Sequence, residues 1–174
     1  MTNAVKKGSL ALLFSFLMAN VLSAQTNAFH INGGFEEGKK GWTGGGATTV
    51  TFPAEAAKSG KLGLRIESHE GSPTQMFSVP DISPLVTEAG KKYKLTYWVK
   101  PVEMGRGLKF RVYEGSFNSP GGIDLDFSSK KMKANEWQQM STTFKGNALT
   151  KGKISITANL GTYFIDDIQI VEEK

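Results

Sequence analysis

The 174-residue sequence contains no cysteine. Disulfide bonds therefore do not hold this fold together, although an oxidising compartment outside the cell would allow them to form. The same absence excludes a lipid-anchored lipoprotein, which needs a cysteine directly after its leader. The loops must be tethered in another way, and a bound metal ion is one candidate.

Long apolar runs are also scarce, and the one clear example lies near the N-terminus at Leu10–Leu22. It follows Lys6 and Lys7 and precedes Ser23-Ala24-Gln25, which is the pattern of a cleavable secretory signal peptide. At 13 residues the run is short for a transmembrane helix. We predict a signal peptide at residues 1–24 and a secreted or periplasmic mature chain at 25–174, free of the membrane after cleavage. An uncleaved N-terminal anchor is the alternative.

A strong excess of one charge is missing as well. Loss of Lys6 and Lys7 lowers the formal net charge from +5 to +3. The remaining lysines are scattered in pairs, as at 39–40, 91–92 and 130–131, so we expect no nucleic-acid partner. The mature chain has the length of one domain and can bury a core without cross-links.

Helical periodicity is almost absent, apart from a short patch at Pro53–Ser59. Alternating apolar and polar residues recur instead, in short segments separated by Gly, Pro, Asn and Ser. These segments predict about nine strands: 47–52, 62–67, 75–79, 92–100, 108–113, 122–127, 137–144, 153–159 and 163–171. Short strands at such spacing are typical of an all-β sandwich or barrel.

The alternation predicts which side chains face outward. In the strand at 92–100 the inward set is Tyr93, Leu95, Tyr97 and Val99, so Trp98 faces outward. In the strand at 108–113 the same rule places Lys109, Arg111 and Tyr113 outside. Exposed aromatic rings beside basic groups are suited to a flat ligand, provided that strand pairing brings them to one face.

Five local motifs occur in a characteristic order. They are Asn32-Gly33-Gly34-Phe35-Glu36 with Gly41-Trp42, Ser59–Leu64, Ala89–Tyr93 leading into Leu95–Val99, Glu136-Trp137-Gln138, and Tyr163–Ile168. This order, over nearly all of residues 29–172, resembles the carbohydrate-binding modules of the cellulase-associated type, the group of families 4, 9 and 22. The resemblance implies a jelly-roll β-sandwich of two antiparallel sheets, expected to be monomeric, with a structural calcium ion.

The resemblance also implies where calcium would bind. Glu36 and Asp166 or Asp167 would supply carboxylates, and backbone oxygens near Gly34 and in the turn ending at Lys61 would complete a hard oxygen shell. Adjacent strand residues point to opposite faces, so the two aspartates are not expected to be equal ligands. The alternative is that both carboxylates are solvated near a strand end.

The resemblance further implies non-catalytic binding of a polysaccharide or glycan along a sheet face. The candidate contacts are Trp98, Tyr113, Arg111, Lys109 and Gln139, with Gln138 as a neighbour, while Trp42 and Trp137 occupy positions typical of the core. The loop at 67–75, with His69 and Gln75, lies where some relatives bind their ligand. Lys109 and Arg111 weakly favour an acidic polysaccharide.

Two other classes of function stay open. A small glycoside hydrolase would need paired carboxylates, for which Asp124 with Asp126 and Glu67 with Glu70 are the candidates. We do not expect an enzyme, because a single sandwich of this size leaves little chain for a deep cleft, and two histidines suggest no Ser-His-Asp set. The other alternative is an adhesin-like sandwich that recognises protein instead of sugar.

Overall fold

The computed structural model describes residues 28–29, 31–46 and 49–174. The predicted signal peptide at 1–24 lies outside the described residues, as do the first residues of the predicted mature chain. Within the described part of the chain, no helix is both long enough and apolar enough to cross a membrane.

The described residues form eleven strands and two 3-10 turns. The strands are β1 (Trp42–Gly44), β2 (Val50–Thr51), β3 (Leu64–Ser68), β4 (Thr74–Ser78), β5 (Leu85–Thr87), β6 (Lys92–Glu103), β7 (Gly107–Tyr113), β8 (Ile123–Ser128), β9 (Gln138–Lys145), β10 (Leu149–Ala158) and β11 (Gly161–Glu173). All nine predicted strands are present with shifted ends, although residues 47–48 of the first predicted strand lie outside the described residues, and β1 and β5 are additional. The patch predicted as helical at 53–59 is one 3-10 turn at Ala54–Ala56.

The strands form two antiparallel sheets, which confirms the predicted β-sandwich. One sheet has the order β1-β4-β10-β7-β8, with β5 paired to β10, and the other has the order β2-β3-β11-β6-β9. Chain neighbours such as β6 and β7, or β10 and β11, lie in opposite sheets, as in a jelly roll. We call the outer surfaces of these sheets the six-stranded face and the five-stranded face.

The core between the sheets follows the predicted alternation. Tyr93, Leu95, Tyr97 and Val99 are at most 3% exposed. The Tyr97 ring packs against Phe110 and Phe127 of the other sheet, with ring centroids 4.6 and 4.9 Å apart. Burying each such side chain contributes roughly 1.5–3 kcal/mol, so the aromatic contacts between the sheets are a main source of stability.

A β-bulge in β11 changes the expected direction of one aspartate. The register between β11 and β6 shifts between Asp166 and Gln169, and Asp167 has a left-handed backbone with φ of 51°. Ile165 and Ile168 both remain in the core. The strict alternation expected for Asp166 and Asp167 is therefore wrong here, because the extra residue of the bulge turns both carboxylates toward the same neighbouring turn.

Candidate functional site

The residues predicted to bind sugar are divided between the two sheets. Trp98 of β6 lies directly opposite Gln139 of β9 on the five-stranded face. Lys109, Arg111 and Tyr113 all belong to β7, in the other sheet. Because the outer faces lie on opposite sides of the sandwich, these five residues do not form one site, and the two groups must be judged separately.

The five-stranded face is partly covered around its aromatic rings. Trp98 is half-buried, and Lys58 Nζ lies 4.8 Å from its ring centroid. Lys100 Nζ lies 5.9 Å from the ring centroid of Phe164, which is only 8% exposed. These cation–π contacts occupy the ring faces that a sugar would need.

Three carboxylates hold the turn that carries Lys58 against this face. Asp166 Oδ2 accepts hydrogen bonds from the backbone N–H groups of Lys58 (2.7 Å) and Ser59 (3.0 Å). Ser59 Oγ donates to Asp167 at 3.1 Å, and Glu36 Oε1 accepts from the N–H groups of Lys61 (2.9 Å) and Leu62 (3.2 Å). The motif at the N-terminus and the last strand are thereby joined through the turn at 58–62.

Asp166 is a fully buried member of this cluster, with 0% exposure. Its Oδ1 also accepts from the N–H of Asp167 at 2.8 Å. Burial raises the pKa of Asp166, and the three N–H donors oppose that shift without cancelling it. A carboxylate that accepts three backbone N–H groups is satisfied without a cation, which gives Asp166 a structural role.

The predicted calcium ligands Glu36, Gly34, Lys61 and the two aspartates meet at this turn, but they do not fit a metal equally well. A side chain on Gly34 would lie 3.5 Å from Asp167 Oδ1, and one on Gly60 would overlap Glu36. Among the residues that the structure describes, the side chain of Asp167 accepts from the Ser59 hydroxyl, so it keeps acceptor capacity that a hard cation requires. Asp166 accepts three backbone N–H groups and Glu36 accepts two, so Glu36 keeps more acceptor capacity than Asp166 but less than Asp167. In the described ranges no three His, Cys, Asp or Glu side chains are grouped so as to hold a metal ion.

The six-stranded face carries two rows of outward side chains that cross its strands. The register places the first row along Thr43, Phe77, Ser155, Arg111 and Asp124. It places the second row along Gln75, Thr157, Lys109 and Asp126. One half-buried aromatic ring, Phe77, therefore lies among hydrogen-bonding groups from four neighbouring strands.

The charges on this face pair with one another. Arg111 Nη1 lies 2.7 Å from Asp124 Oδ1, and Lys109 Nζ lies 3.3 Å from Asp124 Oδ2 and 3.9 Å from Asp126 Oδ1. Burial acts to raise the pKa of Asp124, but the hydrogen bonds and charges of Arg111 and Lys109 outweigh it and lower that pKa. Two cations therefore face two carboxylates, and the basic character expected from Lys109 and Arg111 alone is neutralised.

The predicted exposure of Tyr113 is wrong. Its side chain points away from the core as the alternation requires, yet it is only 3% exposed. The reason is Phe117, in the loop between β7 and β8, whose ring packs edge-on against Tyr113 (centroids 5.6 Å apart) and Phe77 (6.0 Å). Sequence reasoning missed both rings, because the short 75–79 segment does not orient Phe77 and Phe117 belongs to an irregular loop without any periodic signal.

The remaining candidates have ordinary structural roles. Trp42 is 4% exposed in the core, and its indole N–H donates to the carbonyl of Asn32 at 3.0 Å. Glu67 pairs with Arg65 and with His69, so its carboxylate is engaged. Asp124 shares a face with Asp126 as predicted, but its lowered pKa makes it unsuited to act as the general acid of a glycoside hydrolase.

Comparison with known proteins identifies the fold. No protein-family model matches the chain, and no curated protein matches it in sequence. Among solved structures, a family 16 carbohydrate-binding module is 20% identical, with a TM-score of 0.57 over 82% of this chain and 98% of that one. The xylan-binding family 22 module of Paenibacillus barcinonensis Xyn10C is 20% identical, with a TM-score of 0.57 over 87% and 97%.

A family 61 module solved with β-1,4-galactotriose is 18% identical, with a TM-score of 0.53 over 85% of this chain and 99% of that one. At these identities the similarity establishes the fold. The chain has the β-sandwich fold of carbohydrate-binding modules across nearly their whole length.

Proposed function

We propose that this protein binds a glycan chain, without catalysis, on the six-stranded face. The observation that carries the proposal is the half-buried ring of Phe77 set among two rows of polar side chains from neighbouring strands. An apolar surface with a few convergent polar groups is the usual composition of a small-ligand site. The aromatic ring would stack on a sugar ring while the rows bond its hydroxyls.

The shared fold supports the same proposal, since neighbours in the structural comparison include a xylan-binding domain and a module bound to galactotriose. The pairing of Lys109 and Arg111 with Asp124 and Asp126 favours a neutral glycan over an acidic one. An acidic chain would have to displace carboxylates that already satisfy both cations.

The test compares one aromatic residue from each outer face. Residues 25–174 would be assayed by polysaccharide pull-down and calorimetry with xylan, β-1,4-galactan and an acidic polysaccharide. We expect Phe77→Ala to weaken binding to a neutral polymer by at least about tenfold, or roughly 1.4 kcal/mol. Trp98→Ala is the matched control and should bind nearly as well as the wild type, with circular dichroism verifying both folds.

The reverse result, in which Trp98→Ala abolishes binding and Phe77→Ala does not, would move the site to the five-stranded face beside Gln139. If no polysaccharide binds, recognition of protein becomes the better proposal. Ile82 and Val86, whose side chains are 58% and 51% exposed, would be the first surface to examine in that case.

We also propose a structural calcium ion held by the carboxylates of Glu36 and Asp167, with backbone oxygens near Gly34 and Lys61. The cation would bring two carboxylates to the turn at 58–62 without mutual repulsion. Calcium should raise the melting temperature and chelator should lower it, and Asp167→Asn should reduce the difference. An identical melting temperature in both conditions would argue that N–H donors alone hold the turn.

Secretion, cleavage after Ala24 and a monomeric state belong to the same proposal. Mass spectrometry of the exported protein would locate the cleavage site, and light scattering would give the oligomeric state. The lowered pKa of Asp124, which makes it a poor general acid, supports a non-catalytic role. Assays for new reducing ends on the same polysaccharides would check this.

A further inference from the structure

Two polar atoms of the six-stranded face are buried without a hydrogen-bond partner among the described residues: Ser155 Oγ and Arg111 Nε. The two residues are direct cross-strand partners, and Ser155 is 0% exposed. Ile154 and Ile156 on either side of Ser155 belong to the core, so its hydroxyl lies on the outer side of the sheet. Native structures rarely leave buried polar groups without a hydrogen bond, so these two atoms indicate a partner that the described residues do not supply.

The ring of Phe117 lies beside this pair, and Gly122 also packs against the Arg111 guanidinium, where an added Cβ would come 2.6 Å from Nε. The Phe117 ring packs edge-on against Phe77, the other cross-strand partner of Ser155, and it lies 5.4 Å from Arg111 Cζ. The ring therefore lies against Phe77 and Arg111, the two cross-strand partners of Ser155, and it carries no group that could hydrogen-bond to the Ser155 hydroxyl. A sugar ring in the same place would be similarly flat and would add hydroxyls.

The loop that carries Phe117 is fixed at both ends. Glu114 accepts from the N–H groups of Thr150 (3.0 Å) and Lys151 (3.3 Å), and Arg111 Nη2 donates to the carbonyl of Ser119 at 3.1 Å. The Phe117 ring packs against Phe77, Tyr113 and the Arg111 guanidinium. The ring can therefore move aside while the ends of the loop stay attached.

We infer that Phe117 occupies the central sugar subsite of the unliganded protein and is displaced when a neutral glycan binds. In the bound state one sugar ring lies between Phe77 and Arg111. Its hydroxyls accept from Arg111 Nε–H and bond with Ser155 Oγ. This inference rests on the proposed function and specifies its central contact.

The first experiment needs no glycan and uses the absence of native cysteine. A single thiol introduced by Ser155→Cys would be labelled with a maleimide, with and without Phe117→Ala. We expect Phe117→Ala to accelerate labelling at least about tenfold. Thr157→Cys is the matched control, because Thr157 lies in the adjacent row bonded to Gln75, and its labelling should change little. Equal labelling of Ser155→Cys in both backgrounds would overturn the inference.

The second experiment measures affinity for xylan and β-1,4-galactan by calorimetry. Phe117→Ala should bind the preferred polymer several-fold more tightly than wild type, and adding Ser155→Ala should remove that gain. Binding that Phe117→Ala leaves unchanged or weakens would refute the subsite while the proposed function stands. Absence of binding by wild type and all variants would refute the proposed function, and the subsite with it.

Discussion

The strands of both outer faces have the same alternating pattern, but the carboxylates on the two faces bond to different partners. On the five-stranded face, Asp166 and its neighbours bond backbone N–H groups, and the turn they hold brings Lys58 over Trp98. On the six-stranded face, Asp124 and Asp126 bond the side chains of Arg111 and Lys109. The carboxylates that accept from backbone N–H groups hold a turn over the five-stranded face. The carboxylates that pair with side chains leave the six-stranded face as a polar surface.

The aspartates of the two faces also differ in their pKa values. Burial is the largest influence on each and acts to raise the pKa. It prevails at Asp166, whose partners are neutral N–H groups. It is outweighed at Asp124 by the cations Arg111 and Lys109. The sign of the shift thus follows the charge of the partners.

The two faces should differ most in how much stability is lost when one carboxylate is removed from each. Asp166→Asn replaces one acceptor with an amide NH₂ that faces backbone donors. We expect a loss of about 3 kcal/mol in the free energy of unfolding, measured by urea denaturation. Asp126→Asn is the control, because that side chain is 73% exposed and should change stability by less than about 0.5 kcal/mol. Similar losses in both variants would contradict the division into structural and surface carboxylates.

A smaller effect is expected from loosening the loop on the six-stranded face. Glu114→Gln weakens the bonds to the N–H groups of Thr150 and Lys151 and should cost about 1 kcal/mol in urea denaturation. Glu136→Gln removes a surface charge that lies 3.6 Å from Lys133 Nζ, and it should be nearly neutral. A neutral Glu114→Gln would mean that the loop is held mainly by its ring contacts.

Uncovering Trp98 on the other face should have a still smaller effect on stability. Lys58→Ala removes the cation from the indole face and should cost about 0.5 kcal/mol. Acrylamide should then quench Trp98 more strongly, with Trp98→Phe used to isolate its emission. Lys145→Ala changes an exposed lysine of the same sheet and should leave quenching unaltered. Unchanged quenching in Lys58→Ala would show that other groups shield the indole.

The smallest expected difference between the two faces is in how the stability contributions of Asp166 and Asp124 depend on pH. Because the pKa of Asp166 is raised, the folded state binds more protons than the unfolded state above the ordinary aspartate pKa, and its contribution to stability falls as the pH rises through that window. The pKa of Asp124 is lowered, so its contribution is lost as the pH falls through the lowered value. NMR titration of the carboxyl carbons should place the two midpoints on opposite sides of the ordinary value. Midpoints on the same side would contradict the contrast.

Alternation predicted the direction of several polar side chains on the six-stranded face, but it did not predict the aromatic centre of the site. Lys109 and Arg111 face outward as predicted, and so do Asp124 and Asp126, because each strand keeps its two-residue period. Trp98 also faces outward, but alternation says nothing of the turn that covers it. Neither Phe77 nor Phe117 was predicted as a contact, because the 75–79 segment does not orient Phe77 and the loop that carries Phe117 has no period.

The sequence by itself determined the β-sandwich and the inward set of β6, and its resemblance to carbohydrate-binding modules implied that the N-terminal motif meets the last strand. These depend on local period and on motif order, both of which are written along the chain. Only the tertiary structure decided that Trp98 and Arg111 lie on opposite faces, that a bulge turns Asp166 and Asp167 to one side, and that Phe117 packs against Phe77 and Arg111. Those outcomes depend on strand pairing and on loop packing between distant residues, which the period of a single strand does not specify.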